Sequence, residues 1–277
     1  MIRIGQQRWV KGILIAAAVF VAFWLLVMPL LAIINQAFAH GVRPLWQNLI
    51  DIYTLKALLL TLIVAVITVP INLAFGILLA WLVTRFDFFG RRLLQTLIDI
   101  PFAVSPVIAG LLYLLLYGRN GWIGAWLDTY NIQLMFAWPG IVLVTLFVTC
   151  PFVAREVIPV MQAQGRQEEA AAVTLGANGW QLFSRITLPN IRLALFYGVV
   201  LTNARAIGEF GAVSVVSGTI RGETSTLPLH VQQLYQDYNM VGAFASALVL
   251  ALLAVLTLLI KALLDRHAQQ SIGESGR

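Results

Sequence analysis

Charge is scarce in this sequence. Only 11% of its 277 residues are Asp, Glu, Lys or Arg and 60% are apolar, against about a quarter charged in ordinary soluble domains, so a water-soluble globular protein is excluded. Cysteine is nearly absent: Cys150, in the run LFVTCPFVA, allows no internal disulfide and no Cys-rich metal site. No Gly-x-x-x-x-Gly-Lys-Ser/Thr loop occurs, so ATP has no cradle of backbone amides here. His-Glu-x-x-His and Gly-x-Ser-x-Gly are missing too, and no activating base is evident for Cys150. Neither catalytic nor metal-binding residues are expected. His40, His230 and His267 are far apart and read as surface residues. The net charge of +6 comes from basic residues scattered through short loops; a nucleic-acid partner would need a stripe.

What the chain does have is hydrophobic length. About twenty apolar residues cross a bilayer, and six windows approach this: 12–34, 57–84, 98–117, 136–153, 193–217 and 241–264. We expect an all-α integral membrane protein, one domain over 1–277, with six transmembrane helices surrounded by lipid. The first window follows Arg3, Arg8 and Lys11 and precedes Ala37-Phe38-Ala39, as a signal peptide would, but its apolar run is too long for one and a retained helix is expected. Thirteen of the eighteen Lys and Arg fall on one side of the alternating windows, Arg3 and Arg277 among them; four fall on the other, and Arg205 lies inside a window. This bias places both termini in the cytoplasm. Pro70, Pro101, Pro106 and Pro151 interrupt the windows and predict bends. Asp99 borders the third window and reads as a marker of its cytoplasmic end.

One stretch is out of keeping with lipid: EEAAAVTLGANGWQLFSRITLPN, residues 168–190. Glu168 and Glu169 suit the positive end of a helix that continues through Ala170, Ala171 and Ala172. Gly176 fits a left-handed cap. Asn178 with Gln181 fits a capping box opening a second short helix, which should stop near Leu188 because Pro189 follows. Trp180, Phe183 and Ile186 at intervals of three predict an apolar face that its own bundle, the lipid interface or a soluble partner must cover.

The stretch resembles the cytoplasmic loop of ABC importer membrane subunits, Glu-Ala-Ala, three residues, Gly, nine residues, Ile, one residue, Leu-Pro. From Gly176 onward the match is complete, through Ile186, Leu188 and Pro189; six positions before Gly176 stands Ala170, and the acidic residue is displaced to Glu169. Three longer strings, LIDIPFAVSPVIAGLLY, GIVLVTLFVTCPFVAREVIPVMQAQG and LTNARAIGEFGAVSVVSGTIRGETSTLPL, resemble the sulfate and thiosulfate permease subunit of the CysW type, with a related Gly-Glu-Phe-Gly core in the molybdate branch. The resemblance implies a type I, MetI-like importer fold in the bacterial inner membrane. Residues 168–189 become a coupling helix for an ATP-binding subunit dimer that carries ATP and Mg, while this chain binds no cofactor. It also implies a second related permease subunit and a periplasmic or extracellular sulfate-binding protein. A molybdate or tungstate ABC permease is the alternative within the family; an ion-coupled secondary transporter and a non-transporting membrane scaffold or sensor are the alternatives of another class.

Arg205 and Glu209 lie four residues apart in the fifth window, on one helical face. A charge at mid-bilayer costs roughly 2.5–3.5 kcal/mol, so the pair is expected at a helix interface, as a structural ion pair or a waypoint for a dianion. Ala204, Gly208 and Ala212 form a small-residue stripe beside it. The loop after this window, with Arg221, Glu223 and a Ser/Thr cluster, reads as a solvated cap, and the resemblance makes it a binding-protein docking candidate.

Overall fold

The computed structural model describes residues 8–275, and no strand forms among them. Arg3 and Arg277 of the charge count lie outside the described residues. α1 (Arg8–Ala22), a five-residue π turn (Phe23–Val27) and α2 (Met28–Phe38) make the first long helix, followed by the short α3 (Val42–Leu49). α4 (Ile52–Arg85) is the first helix with much of its length buried. α5 (Arg91–Ala103) and α6 (Pro106–Tyr117) follow, then α7 (Gly124–Asp128), α8 (Trp138–Thr149) and α9 (Pro151–Gln164). The polar stretch forms α10 (Gln167–Thr174), α11 (Gly179–Leu182) and a second π turn (Phe183–Thr187). α12 (Leu188–Ile207), α13 (Gly211–Val216), α14 (Leu227–Gln236) and α15 (Met240–Ser275) complete the bundle.

Four helical stretches are long and apolar enough to span: Lys11–Phe38, Ile52–Arg85, Trp138–Gln164 and Met240–Leu263. A fifth span arises if α5 and α6, bent by 107° at Val104 and Ser105, count together. The window 193–217 is not one helix. α12 stops at Ile207, and Gly208, Glu209 and Phe210 separate it from α13. The expected stripe of small residues is broken with it: Ala204 and Gly208 stay exposed while Ala212 is buried. The two breaks meet, since a Cβ on Gly211 would lie 3.2 Å from Pro106 Cβ. Backbone freed at such breaks is tolerated at membrane depth only where protein or a cavity covers it.

Both π turns precede a proline in the same register. Met28 N–H bonds to the Phe23 carbonyl ahead of Pro29, and Leu188 N–H to the Phe183 carbonyl ahead of Pro189. The wider turn relieves the clash between a proline ring and the carbonyl four residues back. The helix therefore runs through Leu188 into α12, where the sequence predicted a stop.

α4, α9 and α12 pack where two glycines press on one valine. A Cβ on Gly76 would lie 2.5 Å from Val153 Cβ, and one on Gly198 2.9 Å from Val153 Cα. Close approach of this kind lets helices associate without a hydrophobic driving force from lipid. Around it lie Ala80, Val157, Met161, Ile191 and Ala194. α1 and the π turn after it, by contrast, leave Ile13, Leu14, Phe20 and Trp24 exposed, facing outward from the bundle.

Gly76→Ala is expected to destabilise the protein by about 1–3 kcal/mol through overpacking, read as a lower Tm in detergent. Gly12→Ala, with nothing within 4 Å of the added Cβ, should leave Tm unchanged or slightly higher.

Candidate functional site

The loop between α9 and α12 is built by local chemistry. α10 ends in a Schellman motif: Gly176 has φ of +86°, its N–H bonds to the Val173 carbonyl at 3.0 Å, and Ala177 N–H bonds to the Ala172 carbonyl at 3.0 Å. α11 opens on the expected capping box, with Gln181 N–H donating to Asn178 Oδ1 at 2.8 Å and Asn178 N–H to Gln181 Oε1 at 3.0 Å.

The two acids of α10 turn back toward the bundle. Glu169 Oε2 is 2.7 Å from Arg85 Nε, and Glu169 Oε1 accepts from Thr187 Oγ1 at 2.9 Å. Glu168 Oε2 accepts from Asn190 Nδ2 at 2.6 Å. Ala170, Ala171, Thr174 and Gly176 are exposed, as are Val173, Leu175 (88%) and Trp180 (74%). The outward surface of the loop therefore joins the apolar Val173, Leu175 and Trp180 to exposed polar groups that include Glu168, Thr174 and Asn178, with no acidic side chain at the Ala170 position. The predicted face of Trp180, Phe183 and Ile186 is divided. Phe183 lies against Trp81 with ring centroids 5.7 Å apart, and Ile186 is half-buried, so only Trp180 is fully uncovered. Pro189 is exposed and Leu188 half-buried at the start of α12.

In the membrane region Arg205 Nη2 pairs with Glu209 Oε2 at 2.8 Å. Glu209 is buried, and its Oε1 accepts the Ala212 N–H at 3.0 Å, so the carboxylate bridges the break between α12 and α13. The Arg205 side chain is 34% exposed. Two further contacts were not anticipated. Asp99 lies 3.3 Å from Arg155, which covers the Phe102 ring at 4.4 Å. Asn72 Nδ2 donates to Thr149 Oγ1 at 2.6 Å deep in the bundle. Only the polarity of Asn72 within an apolar run could have flagged it.

The segment after α13 is not a solvated cap. Thr224, Ser225, Thr226, Leu227 and Leu229 are buried, and so is His230, which the sequence placed on the surface. Leu227 N–H donates to Thr61 Oγ1 at 2.8 Å, and Thr54 Oγ1 lies 3.0 Å from His230 Nε2. The Ser/Thr cluster and α14 are thus fastened to the first turns of α4. Arg221 pairs with Asp237 on the exposed side, and Glu223 is exposed. Among the described residues no three His, Cys, Asp or Glu converge as a metal site would require.

A bundle of apolar helices with one sharply bent span and a capped, two-helix polar loop is a polytopic membrane protein. Its fold is that of ABC importer membrane subunits: it superposes with a TM-score of 0.79 on a chain of the crystal structure of a bacterial alginate ABC transporter in complex with alginate pentasaccharide-bound periplasmic protein, covering 94% of this chain and 95% of that one at 18% identity. Residues 72–270 match the binding-protein-dependent transport system inner membrane component family, and the chain belongs to that family. It is 62% identical over 270 residues to the sulfate transport system permease protein CysW of Escherichia coli strain K12, covering 95% of this chain and 93% of that one. The sulfate transport system permease protein CysT of the same strain is 34% identical over 277 residues, with 99% and 100% covered.

Burial holds the His230 pKa below its ordinary 6.5, helped by the Arg221 charge and opposed by Asp51. The detached form of α14 therefore takes up a proton first as pH falls, so the attachment is at full strength above about 6.5 and weakens below it. Hydrogen exchange across 224–230, corrected for its intrinsic pH dependence, should be less protected near pH 5 than near pH 7.5. His230→Gln should remove that difference.

Proposed function

We propose that the chain is the membrane-spanning permease subunit of an ATP-driven importer that carries sulfate or thiosulfate across the bacterial inner membrane. The observation that carries this reading is the 62% identity to a sulfate permease over nearly the full length of both chains. In this reading α12, the break at 208–210 and α13 make a sixth crossing, and the end of the bundle bearing Arg85 and Glu169 faces the cytoplasm with both termini. The likeness to CysT supports pairing with a second, related permease subunit, and the substrate path runs between the two. A substrate-loaded periplasmic binding protein docks at the opposite end, near Arg221 and Glu223.

The chain supplies no ATPase of its own, so ATP and Mg belong to a partner dimer, one copy of which grips residues 168–189. The exposed Val173, Leu175 and Trp180 support an apolar grip, with Glu168 and Glu169 bracing the loop from behind. Arg205 is the positive waypoint for the dianion. The charge of Glu209 beside it prevents attraction from becoming a trap.

Vesicles containing the complex should take up radiolabelled sulfate only with ATP, and excess thiosulfate should compete far better than molybdate. Better competition by molybdate would reassign the oxyanion, and uptake indifferent to ATP would overturn the importer reading. Arg205→Ala should abolish uptake in a complex that still assembles; normal uptake would remove Arg205 from the path.

A further inference from the structure

Arg85 is the last residue of α4, a helix of 34 residues and therefore about 51 Å long. Its guanidinium is a meeting point. Nε lies 2.7 Å from Glu169 Oε2, with the two side chains 9% and 13% exposed. Nη1 donates to the Met161 carbonyl of α9 at 3.1 Å. The second oxygen of Glu169 is held by Thr187 in the π turn before α12, and Arg166, just before α10, donates to the Thr84 carbonyl at 2.9 Å. The ends of α4 and α9, the first turn of α10 and the entry to α12 are thereby tied together.

The far end of α4 holds a second attachment. Thr54 and Thr61 fix α14 and the buried Ser/Thr cluster through His230 and the Leu227 N–H. One helix therefore carries the loop that faces the ATPase and the segment beside the binding-protein end. Charged groups withdrawn from water hold their geometry only while both partners are present, because an unpaired one is costly. Such a pair suits a joint that must move without loosening.

We infer that Arg85 is a positioning residue for transport: paired with Glu169, it fixes the 167–187 loop to α4, so that motion imposed on the loop moves α4 and the 224–230 segment at its other end. This rests on the importer reading above. It also assigns Glu169 to the inside of this chain and not to the ATPase surface.

The test combines two readouts on the assembled complex. A nitroxide at Gln167→Cys, on the exposed first position of α10 and outside residues 168–189, in a Cys150→Ser background, reports order in the loop. Uptake against the concentration of sulfate-loaded binding protein reports transport. Arg85→Gln should mobilise the label and lower the maximal rate at least tenfold, with the half-saturating concentration unchanged. The exchanged pair Arg85→Glu with Glu169→Arg should reorder the label and restore the rate to within threefold of the parent. An unchanged label in Arg85→Gln overturns the joint. A mobile label with parental uptake overturns its role in transport, as does an exchanged pair that orders the loop without restoring the rate. If the parent complex takes up no sulfate with ATP, the importer reading fails separately, while label mobility still decides the joint.

Discussion

Polar groups placed where water is absent are costly unless they find partners within the protein, and this constraint shapes much of the bundle, although the buried Thr202, Thr226 and Ser246 hydroxyls stand outside it. The threonines of α4 show it most simply. Thr61, Thr68 and Thr84 each return their hydroxyl to the carbonyl four residues earlier, so each satisfies itself on its own helix. Thr61 then has a lone pair to offer Leu227 N–H, and Thr54 is free to meet His230. Thr145 and Thr149 repeat the pattern on α8, and Thr149 also accepts from Asn72. Self-satisfied hydroxyls become the points where a second element is fastened.

Breaks in the helices obey the same rule with stronger groups. The gap between α12 and α13 exposes backbone donors, and Glu209 covers one of them with a carboxylate oxygen while Arg205 balances its charge. The π turns solve the proline problem differently, shifting the hydrogen bond by one residue and keeping the helix axis continuous. Continuity matters at the second of these turns. It joins the polar loop to α12 as one helical piece, where a stop at Leu188 would have left a flexible joint.

What could be read in the sequence divides by range. Gly176 and the Asn178–Gln181 box were legible because each motif completes itself within a few residues. Four of the six apolar windows were legible for the same reason, and Pro101 and Pro106 announced the bend that divides a fifth. His230 was not, because its partner Thr54 is 176 residues away and an isolated histidine carries no sign of it. The divided window had a local signal in Gly208-Glu209-Phe210-Gly211: two glycines flanking a charge suit a helix interior poorly. The inward turn of Glu169 was hidden because Arg85 belongs to a different helix.

That inward turn also accounts for the displacement of the acidic residue by one position. On α10, Glu169 shares a face with Ala172, three residues on, and Ala172 is buried. A residue at 170 is rotated by about 100° from it and lies on the exposed side. Moving the carboxylate from 170 to 169 thus exchanges an outward charge for an inward one. The outward surface then carries exposed Val173, Leu175 and Trp180, and in the proposed importer its contact with the ATPase depends on shape and apolar area, not on an exposed ion pair weakened by salt. The carboxylate, largely withdrawn from water, gains an arginine and a threonine hydroxyl that hold the loop in one position. In the proposed importer, where the ATPase pushes this surface repeatedly, that division puts adhesion on one face and a fixed charge on the other.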